Sequence, residues 1–317
     1  MILAYTLGLL AGVGTTIQGN VNSKVRLDVK SPYIATILSF ATAIATQSVV
    51  VLIKEGDLQI DTGAISGEPV WILAGGLCGF IIIIMAIFCI PVLGAARNAM
   101  IVNFGQLMTG LIIDQFGLFG SVVNRMTVMK AAGAVLVMAG IVMVSLEDVR
   151  ADGSKGISAR VLLYSLLTVT SGIACAVQIA VNGRLGEVIA SAPKATFISV
   201  SAGFFNTLFV IIGIMLFKGR RGIYNLSGPE EAIPKFRFEW LMLCGGPLAC
   251  VIVGSNAAAG PVLGTNPVVI LNLIGMMGVG LIVDAIGFLG TDIKPVTKIK
   301  IAGMLVMLAG AVMITLL

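Results

Sequence analysis

Two pairs of side-chain amides recur in the chain at a spacing that places each pair on one face of a helix. Gln18 precedes Asn22 by four residues, and Gln178 precedes Asn182 by the same interval. Residues four apart are neighbours on a helix surface. We expect the two pairs of amides to form hydrogen bonds to a small polar solute from two sides. The alternative is a bond between helices, worth roughly 0.6 kcal/mol in a membrane interior.

A second group of amides lies in two otherwise apolar stretches, and its members are Asn98, Asn103, Gln106, Asn266 and Asn272. Asn103 and Gln106 are three residues apart and can converge on one wall of a cavity. A polar side chain is costly in hydrocarbon unless it meets a partner or a wet cavity. We therefore expect these amides to line a binding cavity, with helix packing as the alternative.

Three charged residues lie within these stretches or at their ends. Arg97 is the one cation inside a long apolar run; it either extends to the membrane interface or attracts an anionic substrate. Asp114 and Asp284 end the two stretches, and we expect them to act as gates that pair with loop cations such as Arg125 or Lys294. The alternative role for each carboxylate is to cap or anchor the turn that follows it.

Catalytic and metal chemistry is not expected. The chain has no histidine, which is the usual metal ligand and the usual base at neutral pH. The five cysteines fall inside apolar runs without CxxC spacing, as small hydrophobic residues do. The longest loop, residues 218–238, is too short for a catalytic domain. We therefore predict that the protein is not an enzyme and has no cofactor and no bound metal.

The elements that position these residues are predicted to be membrane helices. Of the 317 residues, 58% are hydrophobic and 11% are charged, and the mean hydropathy is +1.06. Soluble domains carry about 25% charged residues, and a spanning helix needs about 20 apolar ones. The charges divide the chain into ten predicted spans, at 2–21, 32–53, 70–90, 94–113, 127–146, 161–181, 195–217, 239–258, 264–283 and 299–317. We expect an all-α integral membrane protein with ten transmembrane helices.

The spans form two copies of one unit. The segment 91–120 returns as 261–290, shifted by 170 residues, with eleven of thirty positions identical. Pro-Val-Leu-Gly opens each copy and predicts a break between helices, because proline removes a backbone donor and glycine permits a turn. We assign 1–146 and 161–317 to two five-helix repeats joined by a polar linker at 147–160. Five spans per repeat is an odd number, so the second repeat is inverted relative to the first and the two form one membrane domain.

The distribution of Lys and Arg predicts the orientation. Loops after the odd-numbered spans carry fifteen of the twenty, and the other side carries Lys54, Arg125, Lys130, Arg184 and Lys194. The positive-inside rule places the fifteen in the cytoplasm and both termini outside, in a plasma membrane of the bacterial inner-membrane type. Loops facing anionic lipid explain the net charge of +5. No basic patch interleaved with aromatics is present, so we expect no nucleic-acid partner.

Taken together, these motifs resemble those of a known family. The Gln-x-x-x-Asn pairs, Ser31-Pro32 before the second helix, and Pro-Val-Leu-Gly followed by Gly-Leu-Ile-x-Asp-x-x-Gly are similar to the drug/metabolite transporter superfamily, above all its YdcZ-like group in fused form. The resemblance implies a ten-helix carrier with a central substrate cavity and alternating access, and it implies no particular substrate.

The chain departs from the superfamily pattern in two respects. Small multidrug members carry a proton-coupling glutamate in the first helix, whereas neutral Gln18 and Gln178 take that place here. This departure argues against proton-coupled cation export. Many fused relatives keep both termini in the cytoplasm, in contrast to the charge distribution of this chain.

We therefore expect a secondary transporter of a small polar metabolite, in which two repeats rock around a site lined by amides. The expected partners are a small-molecule substrate and the lipid bilayer, with the protein acting as a monomer or homodimer. The alternative function is a membrane sensor or assembly subunit of the same fold, which would bind a ligand or partner without flux.

Overall fold

The computed structural model describes residues 1–93, 95–151, 159–224, 238–290 and 296–316. Within these ranges the chain forms ten helices of 19 residues or more and no strand. They are α1 (Ile2–Val29), α2 (Pro32–Glu55), α3 (Gly75–Leu93), α4 (Ala95–Phe116), α5 (Val128–Ala151), α6 (Ala159–Val188), α7 (Ala192–Lys218), α8 (Gly245–Leu263), α9 (Thr265–Ile286) and α10 (Lys298–Leu316). Short helical turns lie between them, among them Thr62–Ser66, Val70–Leu73 and Trp240–Leu243.

The apolar character of these helices fits a membrane. Among the described residues, six helical segments are long and apolar enough to cross a bilayer by length and composition. They comprise α1, α2, α6, α7, the segment Trp240–Leu263 that contains α8, and the part of α9 up to Val283. The prediction of an all-α membrane protein is confirmed at this level.

Serine and glycine residues set several helix ends. The Ser31 side chain accepts a hydrogen bond from the Ile34 N–H (3.1 Å) at the start of α2. Ser191 does the same for Lys194 (3.0 Å) at the start of α7, so both helices have side-chain N-caps. Gly264 alone separates α8 from α9, with a φ of +88° that favours glycine. The predicted break is therefore found there, while its counterpart Gly94 lies outside the described residues.

Several helices extend beyond the predicted spans. Helix α1 continues to Val29, α6 continues to Val188, and α5 reaches Ala151 inside the predicted linker. The predicted spans end where charges appear, but a helix can continue where its side chains reach water. Lys24 and Asp28, four residues apart on α1, form an ion pair of 2.9 Å along the helix surface.

Helices α5 and α10 cross in direct backbone contact. A Cβ atom on Gly133 would lie 2.8 Å from the Gly310 carbonyl oxygen. A Cβ atom on Gly140 would likewise be too close to the Gly303 oxygen and 2.9 Å from the Met307 nitrogen. The start of α5 thus faces the end of α10, and the middle of α5 faces the start of α10. The two helices therefore run in opposite directions. Small residues at such crossings allow membrane helices to pack closely.

Helix α1 packs against α8 and α9 in opposite senses. Gly8 faces Leu271 and Thr16 donates to the Met276 carbonyl at 3.0 Å, so α1 and α9 are parallel. Gly14 faces Ile252, whereas Gln18, further along α1, reaches Gly245 at the start of α8. Helices α1 and α8 are therefore antiparallel, and α8 and α9 form a helical hairpin across Gly264.

The second half repeats this arrangement with the first. Gly172 of α6 lies so close to Gln106 and Gly105 of α4 that a Cβ atom there would be 2.8–2.9 Å from their backbone atoms. Thr168 of α6 donates to Asn98 at the start of α4, so α4 and α6 are parallel. Each half thus inserts its first helix against the fourth helix of the other half.

Candidate functional site

The two glutamines bind backbone carbonyl groups of the opposite half. Gln18 Nε2 donates to the Gly245 oxygen at 2.8 Å, and Gln178 Nε2 donates to the Gly75 oxygen at 2.9 Å. Gly75 and Gly245 are the first residues of α3 and α8, so the two bonds are equivalent in the two halves. Both glutamines are half-buried, and their amide nitrogens hold the halves together.

The asparagines of the two pairs lie beside the same glycines. A Cβ atom on Gly245 would lie 2.7 Å from Asn22 Oδ1 and 2.8 Å from Ser39 Oγ. Around Gly75 the corresponding atoms are Asn182 Oδ1 and Ser199 Oγ. Glycine is needed at both positions because the polar side chains occupy the space of a methyl group.

A set of interior amides has carbonyl oxygens without hydrogen-bond partners among the described residues. The atoms are Oδ1 of Asn103, Asn182, Asn266 and Asn272. These side chains are between 2% and 5% exposed, so each oxygen is buried at the cost of its lost hydration. Buried polar atoms without a partner are uncommon, so these four oxygens set the asparagines apart from the other interior amides.

Asn256 is bonded to a member of this set, although its own oxygen has a partner and the sequence analysis did not select it. Asn272 Nδ2 on α9 donates to Asn256 Oδ1 on α8 at 3.0 Å. The sequence signal for Asn256 is an amide within an uncharged run. The equivalent position of the first repeat is Ala86, so the amide is not repeated. It was missed because it falls outside the repeated motif.

Asn98 and Gln106 face α6. Asn98 Oδ1 accepts a hydrogen bond from Thr168 Oγ1 at 3.2 Å, and Gln106 is buried where α4 meets Gly172. Asn98 is therefore engaged in helix packing.

Asp114 connects the two halves through the start of α9. Its carboxylate is 1% exposed and accepts from the Thr265 N–H at 2.8 Å and from the Asn266 N–H at 2.7 Å. Ser121 Oγ donates to it at 3.0 Å and lies 3.0 Å from Thr265 Oγ1. A carboxylate at a helix N-terminus pairs with free N–H groups and with the positive end of the helix dipole. These partners, rather than Arg125, hold the carboxylate, and Lys294 lies outside the described residues.

An ion pair on the same face also connects the halves, and the sequence analysis missed it. Arg184 near the end of α6 donates to Glu68, which precedes α3, at 2.7 Å, and Glu187 lies 3.7 Å away. Arg184 also packs along Gly120 and helps to line a pocket of about 10 Å³ that includes Ser121. The side chains involved are up to about two-fifths exposed, and no spacing in the sequence indicates their pairing.

A cluster at the same end joins α2 to α7. Lys194 lies 3.4 Å from Glu55 and 3.0 Å from Asp57, and Ser191 donates to Glu55. Hydrogen bonds from Lys194 and from the Gln59 backbone hold the pKa of Asp57 below its usual value. Because the cluster links the two halves at a loop, it is a structural contact of this face.

Two predicted site residues have side chains outside the described part of the chain. Arg97 and Asp284 lie in helices α4 and α9, but their side-chain positions are not part of the description. Their roles stay predictions. Among the described residues, no group of three or more Cys, Asp or Glu is arranged to hold a metal ion.

The interior amides are packed closed in this conformation. A pocket of about 60 Å³ lies between α9 and α10, but it is lined by apolar side chains such as Ile274 and Met304. The small pocket beside Arg184 has room for about one water molecule. Neither pocket is lined by the four asparagines with unpartnered oxygens, which are almost fully buried, so the central cavity that the resemblance implies stays a prediction.

The chain is similar to known proteins in its sequence and in its fold. A family model described as "Putative inner membrane exporter, YdcZ" matches twice, over residues 3–143 and 163–313. No curated protein matches the chain. One solved crystal structure is 16% identical and superposes with a TM-score of 0.66 over 99% of this chain and 96% of its own. At that identity the likeness concerns the fold alone.

Proposed function

Because the chain belongs to the YdcZ family of inner membrane exporters, in the drug/metabolite transporter group, we propose that it carries a small polar metabolite by alternating access. The family and the apolar helices support a multi-pass inner membrane transporter. The description of the family supports export as the direction. The substrate class and the mechanism are argued from the residues below.

The proposed mechanism needs two halves of opposite orientation. Helices α5 and α10 hold the same place in the two repeats yet run antiparallel through the Gly133 and Gly310 contact. The two family matches also divide the chain into two repeats. These observations support ten spans arranged as two inverted repeats, the architecture in which one half rocks against the other around a fixed site.

The observation that carries the proposal is the set of unpartnered amide oxygens inside the bundle. Asn103, Asn182, Asn266 and Asn272 each leave one buried acceptor unused. A buried acceptor without a partner is destabilising, and contact with a substrate would satisfy it. We propose that they contact the substrate, together with Asn256, while Gln18, Asn22, Asn98, Gln106 and Gln178 support the walls and Arg97 adds a further contact.

We propose that Asp114 is the gate at one membrane face of the protein and that Asp284 is the gate at the opposite face. The two hydrogen bonds from α9 to Asp114 cross from one half to the other, so they must break if the halves separate there. The Lys and Arg distribution supports an external position for this face. The protein is proposed to act as a monomer or homodimer in the bilayer, without a cofactor.

Flux in proteoliposomes tests the proposal. Purified protein is reconstituted and assayed against a panel of labelled polar metabolites, and Asn272→Ala is compared with Asn20→Ala. Asn20 donates to the Thr16 carbonyl of its own helix, so its loss should leave flux unchanged, whereas the loss of Asn272 should reduce it at least tenfold. Saturable binding without flux for every bound solute would favour a sensor and refute transport by this chain.

A further inference from the structure

The closest contacts of α1 and α2 are made with helices of the other repeat. A Cβ atom on Gly12 of α1 would lie 2.9 Å from the Asn272 Cα atom of α9. A Cβ atom on Gly246 of α8 would collide with the Ala43 backbone nitrogen of α2, and the Gln18 bond joins α1 to the start of α8. These contacts connect α1, α2, α8 and α9 into one group, termed the α1 unit.

The remaining four helices of the same kind form a second group. A Cβ atom on Gly172 of α6 would lie 2.8 Å from the Gln106 nitrogen of α4, and one on Gly76 of α3 would lie 2.7 Å from the Gly203 nitrogen of α7. The Gln178 bond joins α6 to α3. Helices α3, α4, α6 and α7 are termed the α6 unit. The two units are counterparts, and each contains two helices from each repeat.

The backbones of the two units are further apart. Among the glycines that the structure describes, the contacts to backbone atoms of the other unit begin at 3.3 Å, where a Cβ atom on Gly110 of α4 would meet the Asn266 Cα atom of α9. A Cβ atom on Gly260 of α8 would lie 3.4 Å from the Ile179 oxygen of α6. Side chains also bond the units to each other, through Asp114, Gln47 and Lys194.

This difference in packing decides which helices can part. Two helices whose backbones touch at a glycine have no side chain between them, so separating them loses their van der Waals contact outright. Contacts between side chains can break and re-form by changes of rotamer. We infer that the bodies that move in alternating access are the α1 unit and the α6 unit, each built from both repeats. The inference rests on the proposed function and specifies which helices rock together.

The proposed substrate contacts and the proposed gate both lie between these units. Asn266 and Asn272 belong to the α1 unit, whereas Asn103 and Asn182 belong to the α6 unit. Each moving body therefore supplies two of the four unpartnered oxygens. Asp114 is in α4 and its two backbone donors are in α9, so this contact breaks when the units separate at that face.

Two disulfides distinguish units from repeats, in a background without the native cysteines. Gly14→Cys with Ile252→Cys joins α1 to α8, in different repeats but within the α1 unit; a Cβ atom on Gly14 lies 3.0 Å from Ile252 Cγ1. Ile179→Cys with Gly260→Cys joins α6 to α8, in one repeat but between the units; a Cβ atom on Gly260 lies 3.6 Å from Ile179 Cγ2. Both distances suit a disulfide with a small adjustment.

Hydrogen–deuterium exchange of the purified protein reports the opening without a substrate. The N–H groups of Thr265 and Asn266 are bonded to Asp114, so they exchange when that face opens. Each variant is compared in its oxidised and reduced forms by mass spectrometry. We expect the disulfide between the units to slow this exchange at least tenfold and the disulfide within the α1 unit to leave it unchanged.

The opposite pattern, slowing by the disulfide within the unit, is the result expected if whole repeats move, and it overturns the inference. Slowing by both disulfides or by neither also overturns it. Gly8→Cys with Leu271→Cys, again within the α1 unit, replaces the first pair should that variant fail to fold, and Gly183→Cys with Pro261→Cys, again between the units, replaces the second. Because the exchange requires no solute, a failure of flux against the metabolite panel would refute the transporter without altering this result.

Discussion

Asp114→Asn is the substitution that most directly tests whether the contact between α4 and α9 is a gate. The carboxylate accepts two backbone N–H groups from the other half and one hydroxyl group. An asparagine keeps one oxygen for one N–H and turns an amide N–H₂ towards the other. The substitution therefore removes the charge and at least one of the three bonds while it preserves the shape.

The expected cost follows from those bonds. Hydrogen bonds to a charged group contribute about 1.5–3 kcal/mol each, so the closed state should lose about 2 kcal/mol. That difference corresponds to roughly a 30-fold rise in the open population relative to the closed one. The effect should be confined to this face, because the Gln18 bond reaches Gly245 at the start of α8, whereas Asp114 lies beside Gly264 at the other end of that helix.

A thiol-labelling rate reads the open population directly. Ala180 is buried and lines the small pocket beside Ser121, so a cysteine there is reached only when the face opens. In a background without the native cysteines, Ala180→Cys should label roughly 30 times faster with Asp114→Asn than without it, in line with the population shift. The melting temperature should fall by several degrees.

Asp61→Asn is the matched control. Asp61 accepts from the Ala64 N–H at 3.0 Å and caps a five-residue helix within one half, where asparagine caps about as well as aspartate. It should change neither readout. An unchanged labelling rate in Asp114→Asn, with a lower melting temperature, would show that Asp114 supports α9 without gating it. No change in either would refute the hydrogen bonds themselves.

Three further outcomes are expected. Gly310→Ala places a methyl group 2.5 Å from the Gly133 carbonyl oxygen and should lower the melting temperature clearly. The control Gly213→Ala meets open space and should raise the melting temperature slightly, because alanine favours a helix over glycine by about 1 kcal/mol. Equal effects of the two substitutions would contradict the close crossing of α5 and α10. Glu68→Arg and Arg184→Glu should each speed the labelling of Ala180→Cys, and the double variant should restore part of the wild-type rate. The coupling energy between the two substitutions should be below about 1 kcal/mol, because the pair is partly exposed. Strictly additive effects would exclude the ion pair. The pKa of Asp57 is lowered below 3.8, so its ion pair with Lys194 stabilises the fold above pH 3.8 and is lost on further acidification. The melting temperatures of the wild type and Asp57→Asn should therefore converge as the pH falls below 3.8. A constant difference between the two melting temperatures would be inconsistent with the ion pair.

The sequence predicted the helices well because hydrophobicity and length decide membrane helices almost alone. The break at Pro261 to Gly264 was also predictable, since glycine and proline act locally. The ends of the helices were less predictable. Helix α1 continues beyond Lys24 and Asp28, although a rule based on uncharged runs assigns these charged residues to a loop.

The sequence selects candidate members of the site, but it does not indicate their bonds. Polarity in an apolar run selected Asn103 and Asn272, yet nothing in the sequence tells whether an amide meets a solute or a backbone carbonyl. Gln18 binds a carbonyl group 227 residues away, a partner without a side-chain signature. The Arg184 and Glu68 pair, 116 residues apart, was missed for the same reason.

The paired bonds of Gln18 and Gln178 bear on how the chain arose. Each uses a glutamine of one half and a main-chain oxygen of the other, and each half owns both kinds of partner. Under the inverted arrangement proposed above, a solitary five-helix ancestor would thus have been complementary to a second copy of itself inserted upside down. Joining two genes would have preserved a contact that already existed, leaving later substitutions free to make the halves unlike.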